Sequence, residues 1–275
     1  MSMFDLTGQV AIVTGASKGI GLGVAQQMAA HGSKVIVSSR DQALCEKVVA
    51  DIDRDYGKGE RVAVAIASDL NRLEDGERLA RAAREVWGRI DTLVCNAAIM
   101  GFVGPSAETP PDDFDRILIG NIHHNFRLCQ AVRADLAKTR GCIVLIGSGT
   151  AYMASPRCLA YGAAKAAVSH MSRSLADEFA PEGIRVNCVS PGLIRSAQSM
   201  ATFGEAGLAA SSGRIPLGRV GEPEDIAGAV IYLASTGGAF VTGQDFGVDG
   251  GTSTLTPSKT PSPLDSMTVA LTSEY

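Results

Sequence analysis

The chain of 275 residues lacks the usual marks of metal, disulfide, membrane and polyanion-binding proteins. Its six Cys, at positions 45, 95, 129, 142, 158 and 188, include no Cys-x-x-Cys pair, so the spacing used by zinc and dithiol redox sites is missing. Several lie in apolar runs such as Cys142-Ile143-Val144-Leu145-Ile146, where a reduced thiol packs as a small hydrophobe. There are only four His, and the adjacent His123 and His124 would point in different directions on a helix, so no metal is expected. A net charge of -4 argues against nucleic acid or a membrane surface as partner. The Arg-rich stretch 72–89 alternates with Glu74, Asp75, Glu77 and Glu85 and reads as a solvated helix face. No apolar run approaches the ~18 residues of a membrane span, and the first residues carry no basic-then-apolar leader. A reducing, cytoplasmic setting is the expectation.

What the chain does have is small apolar residues. Hydrophobic residues make up 45% and aromatics only 5%, which suits close packing of helices on a sheet. Apolar runs at 9–14, 34–38, 61–67, 92–95, 142–147, 185–189 and 245–248 are continuous rather than alternating, as a sheet covered on both faces requires. Between them run helical stripes: Leu44, Val48, Ile52 and Tyr56; Phe114, Leu118, Ile122, Phe126, Cys129 and Leu136; Ala164, Val168, Met171, Leu175 and Phe179; and Ile226, Val230 and Leu233. The β–α repeat predicts an α/β fold of Rossmann type, doubly wound, with a mainly parallel seven-stranded sheet and helices on both faces. One domain over 1–251 is expected. A Ser/Thr/Pro-rich tail occupies 252–275, and its segment 267–271 is apolar enough to dock on a neighbouring subunit. Ligands of such sheets bind at the carboxyl ends of the strands.

Two motifs carry chemistry. The first predicted strand runs into Thr14-Gly15-Ala16-Ser17-Lys18-Gly19-Ile20-Gly21 and a helix. Glycines there permit a tight turn and close backbone approach, and a helix N-terminus aims free N–H groups at a pyrophosphate. A plain strand-to-helix turn is the alternative. Downstream, Tyr161 and Lys165 stand one helical turn apart, with Ser148 at the end of the fifth strand. A phenol with an ordinary pKa near 10 needs positive neighbours to exchange protons at neutral pH. The Lys165 ammonium and an oxidised nicotinamide ring would lower it, while Ser148 holds the substrate oxygen.

The spacing Thr-Gly-x-x-x-Gly-x-Gly resembles the short-chain dehydrogenase/reductase family, and the likeness runs over about residues 4 to 251. Asn96-Ala97-Ala98 resembles the family's Asn-Asn-Ala-Gly segment, with Cys95 for the first Asn and Ala98 for the Gly. Asn121, Ser148, Tyr161 and Lys165 match its catalytic tetrad, and Pro191-Gly192 and Asp249-Gly250-Gly251 match as well. The resemblance implies that Asn121 holds a water relaying protons from Lys165, that Lys165 also bonds the nicotinamide ribose, and that Asp69, with Leu70 beside it, contacts adenine. It implies that Pro191, Gly192, Ile194 and Ser196 line the nicotinamide, with Gly15, Ser17, Lys18, Gly19, Ile20, Gly21, Asn96 and Ala97 on the rest of the cofactor. It also implies a homotetramer or homodimer packed through the Tyr161 helix and the one before it.

At the end of the second strand, Val37-Ser38-Ser39-Arg40 offers no carboxylate to hold a ribose hydroxyl or repel a 2′-phosphate. Ser39 stands where NAD-preferring members carry Asp, and Arg40 and Lys18 converge nearby, so NADP(H) is expected ahead of NAD(H). Ile99, Met100, Thr150, Tyr152, Met153 and Leu193 are the pocket candidates, under a substrate lid at about 193–215. Mostly apolar, they point to a ketone or secondary alcohol. Arg157 and Arg195 are the cations that would meet an acyl-carrier phosphate or a carboxylate. Three functions fit these residues: an NADP-linked carbonyl reductase or alcohol dehydrogenase, a 3-oxoacyl-thioester reductase, and a cofactor-binding regulator without turnover.

Overall fold

The computed structural model describes residues 2–254. Seven strands, β1 (Val10–Thr14), β2 (Lys34–Ser38), β3 (Ala63–Ala65), β4 (Thr92–Cys95), β5 (Cys142–Ile146), β6 (Arg185–Pro191) and β7 (Asp245–Val248), form one sheet in the order β3-β2-β1-β4-β5-β6-β7. Every pairing is parallel. The chain winds from β1 outward to β3, then crosses to β4 on the other side of β1. The connections leaving β1 and β4 therefore part, and a crevice opens at their carboxyl ends.

Strand alternation divides the core in two. Ala11, Val13, Val35, Val37, Val144 and Ile146 face one side, under α1 (Gly19–Ala30), α2 (Gln42–Tyr56) and α8 (Pro223–Ala234). Ile12, Ile36, Leu93, Ile143 and Leu145 face the other, under α3 (Glu74–Trp87), α5 (His124–Thr139) and α6 (Leu159–Phe179). Period-two side chains on a sheet covered on both faces need apolar residues at every position, which is why the runs do not alternate. Each fully buried Ile or Leu in these layers contributes about 2 kcal/mol by removal of apolar surface from water. Small residues set the helix spacing: a Cβ on Gly23 of α1 would lie 2.6 Å from Pro223 Cβ at the start of α8.

Several expected elements change length or phase. The third strand is only three residues long, and Asp53 Oδ1 on α2 accepts the N–H groups of Val62 and Ala63 at its start, at 2.8 and 2.9 Å. The sixth extends to Pro191, which pairs with Val248. The stripe from Phe114 to Leu136 is not one regular helix. It comprises α4 (Pro111–Leu118), a π-helical turn at Ile119–His123, and α5. The wider turn rotates α5 relative to α4, so Phe126 is 37% exposed instead of joining the buried face. In α2, Leu44 is exposed and Cys45 from the same turn is buried in its place. The Arg-rich segment is α3, and it is not wholly solvated: Arg84 grips Asp135 of α5 at 2.5 Å. The start of the tail, Thr252–Thr254, is a 3₁₀ turn tied to Asp249, whose carboxylate accepts from Gly251 N and Ser253 N at 2.8 and 2.7 Å. The expected docking segment 267–271 lies outside the described residues.

Candidate active site

The glycine turn is shaped by backbone. Gly15 and Gly19 have φ of +64° and +56°, in the left-handed region that side chains avoid. A Cβ on Gly15 would stand 2.8 Å from Ala97 Cα, so the loop lies directly on the segment after β4. Asn96 braces it: its Nδ2 donates to Thr14 O at 2.9 Å and to Gly15 O at 3.2 Å. Thr14 Oγ1 accepts from Asn96 N and Ala97 N at 3.0 and 3.1 Å. Asn96, expected on the cofactor, thus holds the loop that would hold the cofactor. Thr14 has no role in the sequence reading, although a polar side chain closing an apolar strand is a visible signal.

Beyond the loop, α1 starts at Gly19 with Lys18 as N-cap, no side-chain cap and no acidic residue in its first turn. Its free N–H groups and positive dipole end suit an anion. Gly19 opens toward the far wall, where a Cβ would lie 3.2 Å from Ser196 Cβ. A turn whose glycines leave little room for a side chain, next to an uncapped helix start, fits the phosphates of a dinucleotide. Ser17 and Ile20 lie in the same turn, half-buried.

At the adenosine end, Arg40 is exposed and Ser39 Oγ turns inward, 3.1 Å from Cys45 Sγ and 3.3 Å from Asp41 N. Asp69 and Leu70 are half-buried in the turn after β3. Asp69 Oδ1 caps that turn through Asn71 N and Nδ2, both at 2.9 Å.

Three catalytic candidates meet at the carboxyl ends of β5 and β6. Ser148 comes just after β5, and its Oγ accepts from Thr150 N at 3.2 Å and Thr150 Oγ1 at 2.9 Å. Tyr161 lies near enough to Ser148 for that side chain to ease its ionisation. Lys165, one turn further along α6, is buried, with Nζ 5.5 Å from the Tyr161 ring centre and donating to Ile146 O at 2.7 Å. That carbonyl, at the end of β5, belongs to no sequence motif. The expected lowering of the phenol is not what the chain's own residues produce. Burial pushes Tyr161 up to about 12, against a smaller lowering by Ser148. Burial also lowers Lys165 to about 8, opposed by the nearby Cys188 and Cys95. Desolvation is the largest influence on both groups, and Lys165 donates to a carbonyl.

Asn121 sits inside the π-helical turn, fully buried. Its Oδ1 accepts from Ile99 N at 2.9 Å and its Nδ2 donates to Ile99 O at 2.7 Å. Asn125 Nδ2 occupies its main-chain carbonyl at 2.8 Å. The side chain therefore clamps the segment after β4.

The other wall comes after β6. A Cβ on Gly192 would stand 2.7 Å from Asp249 Cα, so the chain crosses here without room for a side chain. Pro191 and Ile194 are buried, and Ile194 bridges to Gly221. Ser196 caps α7 (Ala197–Ser212): its Oγ accepts from Ser199 N at 3.1 Å, and Ser199 Oγ accepts from Ser196 N at 2.9 Å. The expected lid is this helix, kinked at Gly204. Leu193 packs under it with Leu208, Ile215 and Val220, and Gln198 reaches Met100 across the crevice at 3.1 Å. Arg195 pairs with Glu205 and Glu222, at 2.7 and 3.2 Å, so a substrate anion would have to compete with two carboxylates for it. Tyr152 and Met153 are exposed on the turn after Ser148.

The profile of the family described as enoyl-(acyl carrier protein) reductase matches residues 15–253. The bovine protein "Dehydrogenase/reductase SDR family member 4" (Bos taurus) is 34% identical over 90% of this chain and 88% of its own. Among solved structures, the Pseudomonas aeruginosa RhlG/NADP active-site complex superposes with a TM-score of 0.85 at 32% identity, covering 92% of this chain and 99% of that one. The 3-ketoacyl-(acyl-carrier-protein) reductase of Brucella melitensis, complexed with NADH, gives 0.83 at 30% identity over 90% and 100%. The chain therefore belongs to the short-chain dehydrogenase/reductase family, as an oxidoreductase built to work with a nicotinamide cofactor.

Proposed function

We propose that the protein interconverts a ketone and a secondary alcohol with NADP(H), and that Tyr161 is the proton donor and acceptor. The observation that carries this reading is the meeting of Ser148, Tyr161 and buried Lys165 at the carboxyl end of β5, with Lys165 Nζ 5.5 Å from the phenol ring centre. When bound, the cofactor supplies or accepts the hydride. Ser148 holds the substrate oxygen. Tyr161, which keeps its proton at neutral pH, gives it to that oxygen in reduction and takes it back in oxidation. Lys165, charged below about pH 8, favours release of the phenolic proton and bonds the nicotinamide ribose. Gly15, Ser17, Lys18, Gly19, Ile20 and Gly21 hold the phosphates, Asp69 and Leu70 the adenine side, and Ala97, Pro191, Gly192, Ile194 and Ser196 the nicotinamide side. Thr150, Tyr152, Met153 and Leu193 border the substrate.

The preference for NADP(H) rests on exposed Arg40 and the missing carboxylate at Ser39. A 3-oxoacyl thioester as substrate is the second reading, favoured by the name of the Brucella relative and disfavoured by the pairing of Arg195. We place the protein in the cytoplasm as a homodimer or homotetramer. All six thiols are free, and among the described residues no helix is long and apolar enough to cross a membrane. The test is a panel of free ketones and acyl thioesters with NADPH and NADH, monitored by nicotinamide absorbance. Higher kcat/KM with NADPH on free ketones supports the reading. Preference for NADH overturns the cofactor choice, and absence of turnover with every substrate favours a cofactor-binding regulator.

A further inference from the structure

A second polar chain lies behind the Ser148–Tyr161 pair and has no part in the proton transfer. Tyr152 Oη donates to Ser190 Oγ at 3.3 Å, and Ser190 Oγ donates to Asp245 Oδ1 at 2.8 Å. Asp245 Oδ2 is buried without a partner. Three distant segments meet here: the turn after β5, the end of β6 and the start of β7. Ser190 is wholly buried. A Cβ on Gly147, the residue before Ser148, would lie 2.7 Å from Cys188 Sγ and collide with Ser190 Oγ. The chain thus runs against the backbone that carries Ser148. The same turn closes on α6 beside Tyr161, where a Cβ on Gly162 would lie 3.6 Å from Thr150 O.

Its outer end is open. Tyr152 is 47% exposed and Met153 beside it 38%. A buried carboxylate oxygen without a partner is costly, and three apolar side chains would fill the space more cheaply. What the polar chain adds is direction. A carboxylate only accepts, so Ser190 donates to Asp245 and presents its oxygen to the phenol. Burial, and then the contact with Asp245, raise the Tyr152 phenol above its ordinary range, so it remains a donor. The hydroxyl is pinned inward and the ring stands fixed at the border of the site.

We propose that Tyr152 is a rigid aromatic platform for a flat apolar group next to the reacting carbon, and that Ser190 and Asp245 are positioning residues that lock it. Aryl ketones are then favoured over small aliphatic ones. This rests on the carbonyl-reducing reading of the site.

The experiment compares wild type with Tyr152→Phe, Ser190→Ala and Asp245→Asn on acetophenone and butan-2-one. Each variant is expected to lower the acetophenone-to-butanone ratio of kcat/KM by about fivefold, through KM, the size of one neutral hydrogen bond. The pair Tyr152→Phe and Asp245→Asn combined should do no worse than either alone, because they break one unit. A second readout needs no turnover: in an ultraviolet absorbance titration one tyrosine of Asp245→Asn ionises at lower pH than it does in wild type, and adding Tyr152→Phe removes that step. An unchanged selectivity ratio, or an unchanged titration, overturns the proposal. If Asp245→Asn does not fold, Ser190→Ala and the exposed Tyr152→Phe decide by the same ratio. If wild type reduces neither ketone, the carbonyl reading fails separately. The platform is then judged by saturation-transfer NMR of acetophenone, where equal signals for wild type and Tyr152→Phe overturn it.

Discussion

The two walls of the crevice are made of different material. On the β1–β4 side, the contacts are main chain: positive-φ glycines, an uncapped helix start, and Asn96 and Thr14 tying carbonyls and N–H groups together. On the β5–β6–β7 side they are side chains: half-buried Ser148, Tyr161 and Asp245 and buried Lys165 and Ser190, two of them with strongly moved proton affinities. Holding phosphate needs donors that never lose their protons, and backbone N–H groups meet that need. Moving a proton needs groups whose affinity can be set by burial, and only side chains offer it.

If the division is real, damage to one side leaves the other working. The largest effect is expected from Tyr161→Phe, with kcat down by about 10³-fold, within the range for loss of a general acid or base. NADPH affinity, read by its fluorescence, should stay close to wild type. Equal loss of both would break the comparison. Ser39→Asp should act on the opposite wall alone. A carboxylate facing a 2′-phosphate is expected to lower the NADPH-to-NADH ratio of kcat/KM by roughly 10- to 100-fold, the worth of a charge-assisted hydrogen bond reversed. An unchanged ratio would show that the ribose lies elsewhere.

Lys165→Met sharpens the point that the catalytic wall is strained. Lys165 falls from 10.5 to about 8 in the fold. That difference corresponds to roughly 3 kcal/mol of destabilisation while the group is charged. Loss of the bond to Ile146 O returns about 1 kcal/mol, so the inactive variant is expected to be about 2 kcal/mol more stable at pH 7 by urea unfolding. Because the folded value lies below the unfolded one, the penalty is full below about pH 8 and is relieved as pH rises toward 10.5. The gain from Lys165→Met must therefore shrink over that window, and a pH-independent gain would refute the cause. Gly15→Ala should have the smallest effect. A side chain at φ +64° pressed on Ala97 costs about 1–2 kcal/mol, read as weaker NADPH binding and a lower Tm, with kcat at saturating cofactor less affected.

The same division separates what is legible in the sequence from what is not. The strands, the doubly wound order and the glycine turn come from neighbours in the chain, so residues 10–21 already describe a strand, a turn and a helix start. Tyr161 and Lys165 share a helix and are equally visible. What is not legible has one kind of cause. The π-helical turn at Ile119–His123 shifts the phase of a stripe that looks continuous in the sequence, turning Phe126 outward and fixing Asn121 on Ile99. Ser196 goes to a helix cap and Arg195 to two glutamates.

From the order of its residues alone this chain determines its parallel sheet and the side of that sheet on which ligands bind, because period and glycine placement act over a few residues. Which way the acid–base pair is tuned, and what stands behind it, is decided by folding. Burial that lifts a phenol and lowers an ammonium exists only once β5, β6, β7 and α6 close around them, and Tyr152, Ser190 and Asp245, up to 93 positions apart, touch only then.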